Sequence, residues 1–352
     1  MPSNEFSSSK PPTFSLDRRE LSRRAMLVGA AVGLSACSAA NASTTGRRPK
    51  PTRTPAPIPT NPARDLAAVR VFPSYSTKTY GDHDAVLARL GDLGVKRMSH
   101  KITPAIDAAT IAFTTRAYQE HGIKSWLTVG EPRETLTSGQ WDQIVAVLTG
   151  PLAGMVERCY GWNEPNHVRG GGTLPADWAQ TTGAHQAELW RRLAPLGIKV
   201  GTPQLWSGDF AKHDADLSRL APSIAGRFDH IAWHLYPRGG VGVDLIDRFD
   251  ATYRAALGDH RVVCTEAGYF TAPNYTGGSK VVSEEEQANY LPQLIDAYVS
   301  RGYGLSMFEF LNDPDPSGAE REAHFGLVRC PSLGPATWSN KPAFGAVKAH
   351  LA

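Results

Sequence analysis

Cysteine is scarce in this chain, with four residues in 352, and no C-x-x-C pair occurs. A disulfide-stapled mini-protein is thereby excluded, and the cysteine and histidine spacings fit no zinc site. The 11 histidines are scattered and no H-E-x-x-H is present, so neither a metal nor a cofactor is expected. Apolar runs stay well short of the roughly 20 residues that span a bilayer, which excludes a multi-span membrane protein. Neither G-x-G-x-x-G nor a Walker sequence occurs, and the Gly170-Gly171-Gly172 run follows the wrong residues for a phosphate cradle. Basic excess is missing where it would count. Residues 1–65 carry ten Lys/Arg against four Asp/Glu, which leaves 27 basic and 30 acidic residues in 66–352. The net charge of +3 therefore comes from the amino-terminal part, and the mildly acidic remainder lacks the footprint of a nucleic-acid binder. What is present suffices for a full-sized core: 41% of residues are hydrophobic, 20% charged and 9% aromatic. Those figures also exclude a wholly disordered chain.

Residues 1–37 read as an export signal. A basic segment precedes about a dozen small apolar residues, Ala25 to Ala36, too few to span a bilayer. Within it, Ser22-Arg23-Arg24-Ala25-Met26-Leu27 resembles the twin-arginine export motif. Leu34-Ser35-Ala36-Cys37 resembles a bacterial lipobox, which implies cleavage before Cys37 and its lipidation. Residues 38–65 are rich in Pro and Thr, cannot bury a core, and read as a disordered, extended tether. The expected location is outside the cytoplasm, as a cell-envelope lipoprotein held by its lipid anchor or as a secreted protein. Cysteine use fits export without disulfides, since Cys159 and Cys264 fall inside predicted strands as small buried hydrophobes.

From residue 66 to 352, short β-branched or aromatic runs alternate with helical stretches. The predicted strands are Val69–Pro73, Val95–Lys101, Ser125–Gly130, Val156–Trp162, Lys199–Trp206, Ile231–Pro237, Val262–Ala267 and Leu305–Leu311. Helical patterns lie between them, and a last helix follows Pro342. Eight βα units in about 285 residues predict an α/β fold, the (β/α)8 TIM barrel. A doubly wound sheet would bring a Gly-rich nucleotide turn, which is missing. In the barrel, chemistry belongs at the carboxyl ends of the strands.

Two glutamates stand there. The fourth predicted strand ends Trp162-Asn163-Glu164-Pro165, and the seventh contains Cys264-Thr265-Glu266-Ala267. An ionised group at such a site is costly unless it is paired or used. Strands four and seven lie nearly opposite, so their ends face each other across the mouth. Glycoside hydrolysis needs two carboxyl groups flanking one bond, roughly 5–5.5 Å apart when configuration is retained. In strand six, Ala232-Trp233-His234-Leu235-Tyr236 sets His234 and Tyr236 on one face and Trp233 on the other.

These residues resemble the clan A glycoside hydrolases, retaining enzymes on (β/α)8 barrels, with Asn-Glu-Pro after strand four and a second Glu after strand seven. The resemblance covers roughly residues 66–350, in a divergent branch nearest families five and thirty-nine. It implies that Glu164 is the general acid/base, Glu266 the nucleophile and Asn163 a partner of the sugar hydroxyl beside the anomeric carbon. His234 and Tyr236 would line the same pocket, with the Tyr236 hydroxyl on the nucleophile. The expected partner is a poly- or oligosaccharide, and the expected state a monomer. A transglycosylase with the same two glutamates and a non-catalytic carbohydrate-binding lipoprotein are the alternatives.

Two departures from the clan pattern stand out. Its strand-two Arg is replaced by Ser99 or His100, with Arg97 deeper on the same face as Ser99, and this absence is the sequence support for the non-catalytic alternative. The usual strand-eight Trp is missing, so Phe308 or Phe310 takes its place, and Glu309 adds a carboxylate near the mouth. Trp162, Gln204 and Trp206 are further candidate sugar contacts. The segments His167–Trp178, Phe270–Val282 and Asn312–Lys341 are expected as long loops shaping the cleft.

Overall fold

The computed structural model describes residues 61–75, 77–168, 172–237 and 239–352. The export signal, the lipobox Cys37 and the tether up to residue 60 lie outside the described residues. Eight strands close into one parallel barrel in chain order: β1 (Ala67–Arg70), β2 (Arg97–Ile102), β3 (Lys124–Val129), β4 (Val156–Tyr160), β5 (Lys199–Gly201), β6 (His230–His234), β7 (Arg261–Ala267) and β8 (Gly304–Met307). A short helix α1 (Pro62–Leu66) leads into β1. The connecting helices are α2 (His83–Leu93), α3 (Ala108–His121), α4 (Ser138–Thr149), α5 (Trp178–Leu193), α6 (Phe210–Ile224), α7 (Val243–Leu257), α8 (Glu284–Val299) and α9 (Pro342–Leu351). The last loop folds back as an antiparallel pair, β9 (Val328–Arg329) with β10 (Ser339–Asn340). This is the expected (β/α)8 barrel. Among the described residues no helix is long and apolar enough to cross a membrane.

The helix boundaries are written in short polar residues. Asp82, Asp107 and Asp209 each accept the backbone N–H three positions on, at the starts of α2, α3 and α6. Thr137 with Gln140, and Ser283 with Glu286, close capping boxes on α4 and α8.

Two core layers result. Inside the barrel, Ala68, Trp126, Tyr160, Ala232 and Val263 pack together, large rings from β3 and β4 against small residues from the facing strands. Gly201 is required here, because a Cβ on it would lie 2.4 Å from the Tyr160 ring. Between barrel and helices, Trp233 packs against Phe249, Tyr253 and Tyr303, on the face opposite His234. Cys159 and Cys264 are buried free thiols. The amino-terminal end of the barrel is closed by a polar cluster. Arg97 donates to Glu157 at 2.8 Å, and Trp126 Nε1 donates to the same carboxylate at 3.2 Å.

Several boundaries differ from expectation, and β4, β5, β6 and β8 all end earlier than predicted. The folded unit begins before residue 66: Asn61 caps α1 through the Ala63 N–H, and its side chain donates to the His350 carbonyl at 3.0 Å. Strand β1 lies two residues earlier than predicted and ends at Arg70. Pro73 has no N–H for a ladder, so Val71 makes the last bond to β2, donating to the Ser99 carbonyl at 2.9 Å.

Candidate active site

After Tyr160 the chain turns through Gly161 and Trp162 to reach Asn163 and Glu164. Asn163 bridges in parallel to Gln204, and the Glu164 N–H donates to the Gln204 carbonyl at 2.7 Å. These contacts hold Glu164 at φ +48°, a left-handed conformation that costs a residue with a Cβ about 1–3 kcal/mol. Such backbone strain is concentrated at functional positions. On the far side, β7 delivers Glu266 in register with His234 of β6, across a bulge at Trp233/His234.

The side chains converge. His234 Nδ1 lies 3.0 Å from Glu164 Oε1 and 3.4 Å from Glu266 Oε2. One oxygen of each glutamate and this nitrogen all fall within 4.8 Å of one another. His234 Nδ1 thus faces an oxygen of each glutamate. Tyr236 donates its hydroxyl to Glu266 Oε2 at 2.7 Å. Burial and the neighbouring Glu266, Glu322 and Glu164 push the Tyr236 phenol well above its ordinary value, so it stays a donor. Arg70 Nη2 stands 3.7 Å from Glu266 Oε1, with both side chains nearly inaccessible.

The guanidinium missing from strand two is thus supplied by strand one. Ser99 points into the barrel and bonds the Ser306 hydroxyl at 2.7 Å. His100 is buried on the helix side against Thr114, where desolvation pushes it down to about 4. Arg97 is at the opposite end of the barrel, on Glu157. Sequence reasoning missed Arg70. The available signal was an arginine inside the otherwise apolar run Ala-Ala-Val-Arg-Val-Phe, which can be buried only with a partner.

The remaining candidates separate into two groups. Asn163, Trp206, Tyr236 and Glu309 line the same cleft as Glu164 and Glu266. The Asn163 Oδ1 is buried without a partner among the described residues. Glu309 is buried beside Tyr80, and burial together with Asp313 pushes its carboxyl well above the ordinary range, against the pull of Tyr80 and Arg70. Phe308 also lines the cleft, whereas Phe310 belongs to the core. Trp162 and Gln204 are corrections. Trp162 is fully buried and stacks on His185 at 4.6 Å, and Gln204 is fully buried against Thr128. Both follow strands that end earlier than predicted, so the alternation that aimed them at the mouth has lapsed.

The Glu164, His234 and Glu266 group also has the composition of a cation site. The Tyr236 donor already occupies Glu266 Oε2, and the Arg70 charge beside Oε1 repels a cation. The arrangement instead suits two carboxyl groups working on one neutral bond.

No protein-family model and no curated protein matches the sequence. Solved structures do match the fold. An active-site mutant of the Rhizomucor miehei β-1,3-glucanosyltransferase, in complex with laminaritriose, is similar with a TM-score of 0.58 at 16% identity, over 76% of this chain and 95% of that one. A β-glucosidase from Exiguobacterium marinum gives 0.58 at 11% identity, over 81% and 97%. An endo-β-1,3-glucanase mutant from Amycolatopsis mediterranei, with laminaripentaose, gives 0.51 at 17% identity, over 81% and 98%. At these identities the likeness is one of fold, and the barrel is one that glycosidases and a glucanosyltransferase share.

Proposed function

We propose that this chain is a retaining glycoside hydrolase of the clan A type, cleaving O-glycosidic bonds of a poly- or oligosaccharide by double displacement. One observation carries the reading: carboxyl groups from the ends of β4 and β7 meet within 4.8 Å in a cleft at the carboxyl end of the barrel. That spacing leaves room for a sugar carbon and not for an added water, as retention requires.

The surroundings divide the roles. Arg70 and Tyr236 both stabilise negative charge on Glu266, so Glu266 is the nucleophile. Glu164, on the other side of His234, is the acid/base. Protonated Glu164 donates to the leaving oxygen as Glu266 attacks the anomeric carbon; the C1–O bond breaks and a glycosyl ester forms. The Glu164 carboxylate then takes a proton from water, whose oxygen displaces Glu266 and regenerates both groups. Asn163 lines the cleft beside Glu164 and is the candidate partner of a sugar hydroxyl. The sequence support for a non-catalytic barrel was the missing arginine, and Arg70 removes it. A sugar hydroxyl replacing water would give transfer, a second reading favoured by the aromatic Trp206 in the same cleft as Glu164. We further propose export through the amino-terminal signal, with Cys37 as the lipid anchor.

The test is product configuration. Active substrates are found on a panel of β-glucans, laminari-oligosaccharides first, and the first-formed anomer is read by proton NMR. Retention, lost in Glu266→Ala, is expected. Inversion, or unchanged turnover in Glu266→Ala, overturns the assignment.

A further inference from the structure

The cleft extends past the carboxylates in both directions. A single cavity of about 1110 Å³ crosses the barrel mouth. At one end it is lined by Phe72 and Tyr75 of the β1–α2 loop, and at the other by Trp206 and Ser207 of the β5–α6 segment. In a closed eight-stranded barrel β1 and β5 are diametrically opposed. A chain of contacts runs between these ends through the reacting pair. Phe72 faces the Arg70 guanidinium at 5.5 Å, Arg70 reaches Glu266, and His234 joins Glu266 to Glu164. The Glu164 N–H then bonds the Gln204 carbonyl, two residues before Trp206.

Each end carries a flat aromatic stack. The Phe72 and Tyr75 rings are 5.2 Å apart and inclined by 10°, and Tyr75 is 40% exposed. His167 and Trp206 are 4.8 Å apart and inclined by 13°. Aromatic rings that line a polar cleft suit a ligand with apolar faces and a polar rim, as pyranose rings do, and the Lys78 ammonium, 5.5 Å over the Tyr75 ring, is the group such a ligand would displace. The catalytic centre has one such surface on its nucleophile side and another on its acid side.

We infer that these stacks are sugar platforms on both sides of the bond that breaks, so that the enzyme cuts within a glycan chain. Tyr75 and Phe72 hold sugars on the glycone side, beyond Glu266 and Arg70. Trp206 holds the leaving portion, beside the proton donor Glu164. The substrate class is a polysaccharide or a long oligosaccharide, and a disaccharide leaves one platform empty. This assignment rests on the hydrolase reading above.

The experiment uses a ladder of β-1,3-gluco-oligosaccharides labelled at the reducing end, with a β-1,4-linked ladder in parallel. Wild type, Tyr75→Ala and Trp206→Ala are compared by product length. Wild type is expected to cut internally, with kcat/KM rising with chain length. Each variant should lose about tenfold in kcat/KM on long chains. The position of the cut should move in opposite directions. Tyr75→Ala disfavours filling the glycone side and moves the cut toward the non-reducing end; Trp206→Ala moves it toward the reducing end. General damage to the fold slows turnover without moving the cut, and Tyr75→Phe, which keeps the ring, should retain the wild-type pattern. Stepwise release of single sugars at a rate independent of length overturns the inference, as do variants that leave the cut where it was. If wild type cleaves neither ladder nor any glycan of a wider panel, the hydrolase reading itself fails and this assignment falls with it.

Discussion

Replacing Arg70 by Met tests whether strand one supports the nucleophile. Met keeps much of the side-chain volume and removes the charge. Two unit charges 3.7 Å apart attract by about 4 kcal/mol at an effective dielectric constant near 20. Water entering the variant pocket recovers part of that. Stabilisation of the Glu266 carboxylate counts toward rate only so far as it persists in the transition state, so a net loss of about 2–4 kcal/mol limits the fall in kcat/KM to roughly 30-fold to 1,000-fold. The Tyr236 hydrogen bond remains, so activity should not vanish. Arg70→Lys, with a charge on a shorter stem and no guanidinium fork, should fall between Met and wild type. The assay is kcat/KM on an activated aryl glycoside, with a urea melt of each variant to separate activity from folding. Wild-type kcat/KM in a folded Arg70→Met protein would refute the electrostatic reasoning. Equal losses in the Met and Lys variants would show that packing, and not charge, is what Arg70 supplies.

Four further outcomes follow from the same geometry. With a dinitrophenyl glycoside, Glu164→Ala should show a burst and slow turnover that added azide restores, giving a glycosyl azide of retained configuration; Glu266→Ala should yield at most the inverted azide, and the opposite pattern means the roles are reversed. Gly201→Ala forces a methyl group into the Tyr160 ring and should destabilise the barrel by about 1–3 kcal/mol, read as a lower urea midpoint, whereas an unchanged midpoint would mean the ring has room to move. Burial pushes the Lys341 ammonium down to about 7 from its ordinary 10.5. Between those values the unfolded chain binds the extra proton, so wild-type stability relative to Lys341→Met should rise with pH across that window, by up to about 1.4 kcal/mol per pH unit, and a flat difference would refute it. Mass spectrometry of membrane-fraction protein should find a diacylglyceryl group on Cys37, and a mature chain starting elsewhere would refute the lipoprotein proposal.

The three converging side chains were legible because each sits where a strand's alternation still holds or just after a strand has ended. Glu266 lies within β7, His234 ends β6, and Glu164 follows a turn made recognisable by Asn163 and Pro165. Arg70 was hidden by a two-residue shift of one short strand. Read as the second residue of a strand beginning at Val69, it belongs near the closed end of the barrel; as the last residue of β1 it belongs at the mouth. Trp162 and Gln204 failed for the converse reason. Hydrophobic character predicted strands through residues 162 and 206, but the ladders end at Tyr160 and Gly201. Beyond those points the chain turns and a side chain's parity no longer decides which way it faces. The Phe72–Tyr75 surface had no periodic signal at all, because it is made by a loop.

The bond from Asn61 to the His350 carbonyl joins the first described residue to the last helix, and α1 packs on both α8 and α9. The two ends of the folded chain therefore clasp each other behind one seam, the line where β1 meets β8. That seam is where the barrel closes, and its upper edge carries Arg70 on one lip and Phe308 and Glu309 on the other. Removing residues 61–66 or the last turn of α9 would take away the fastening of that seam. One seam thus carries a wall of the candidate site at one end and the fastening of the folded chain's ends at the other.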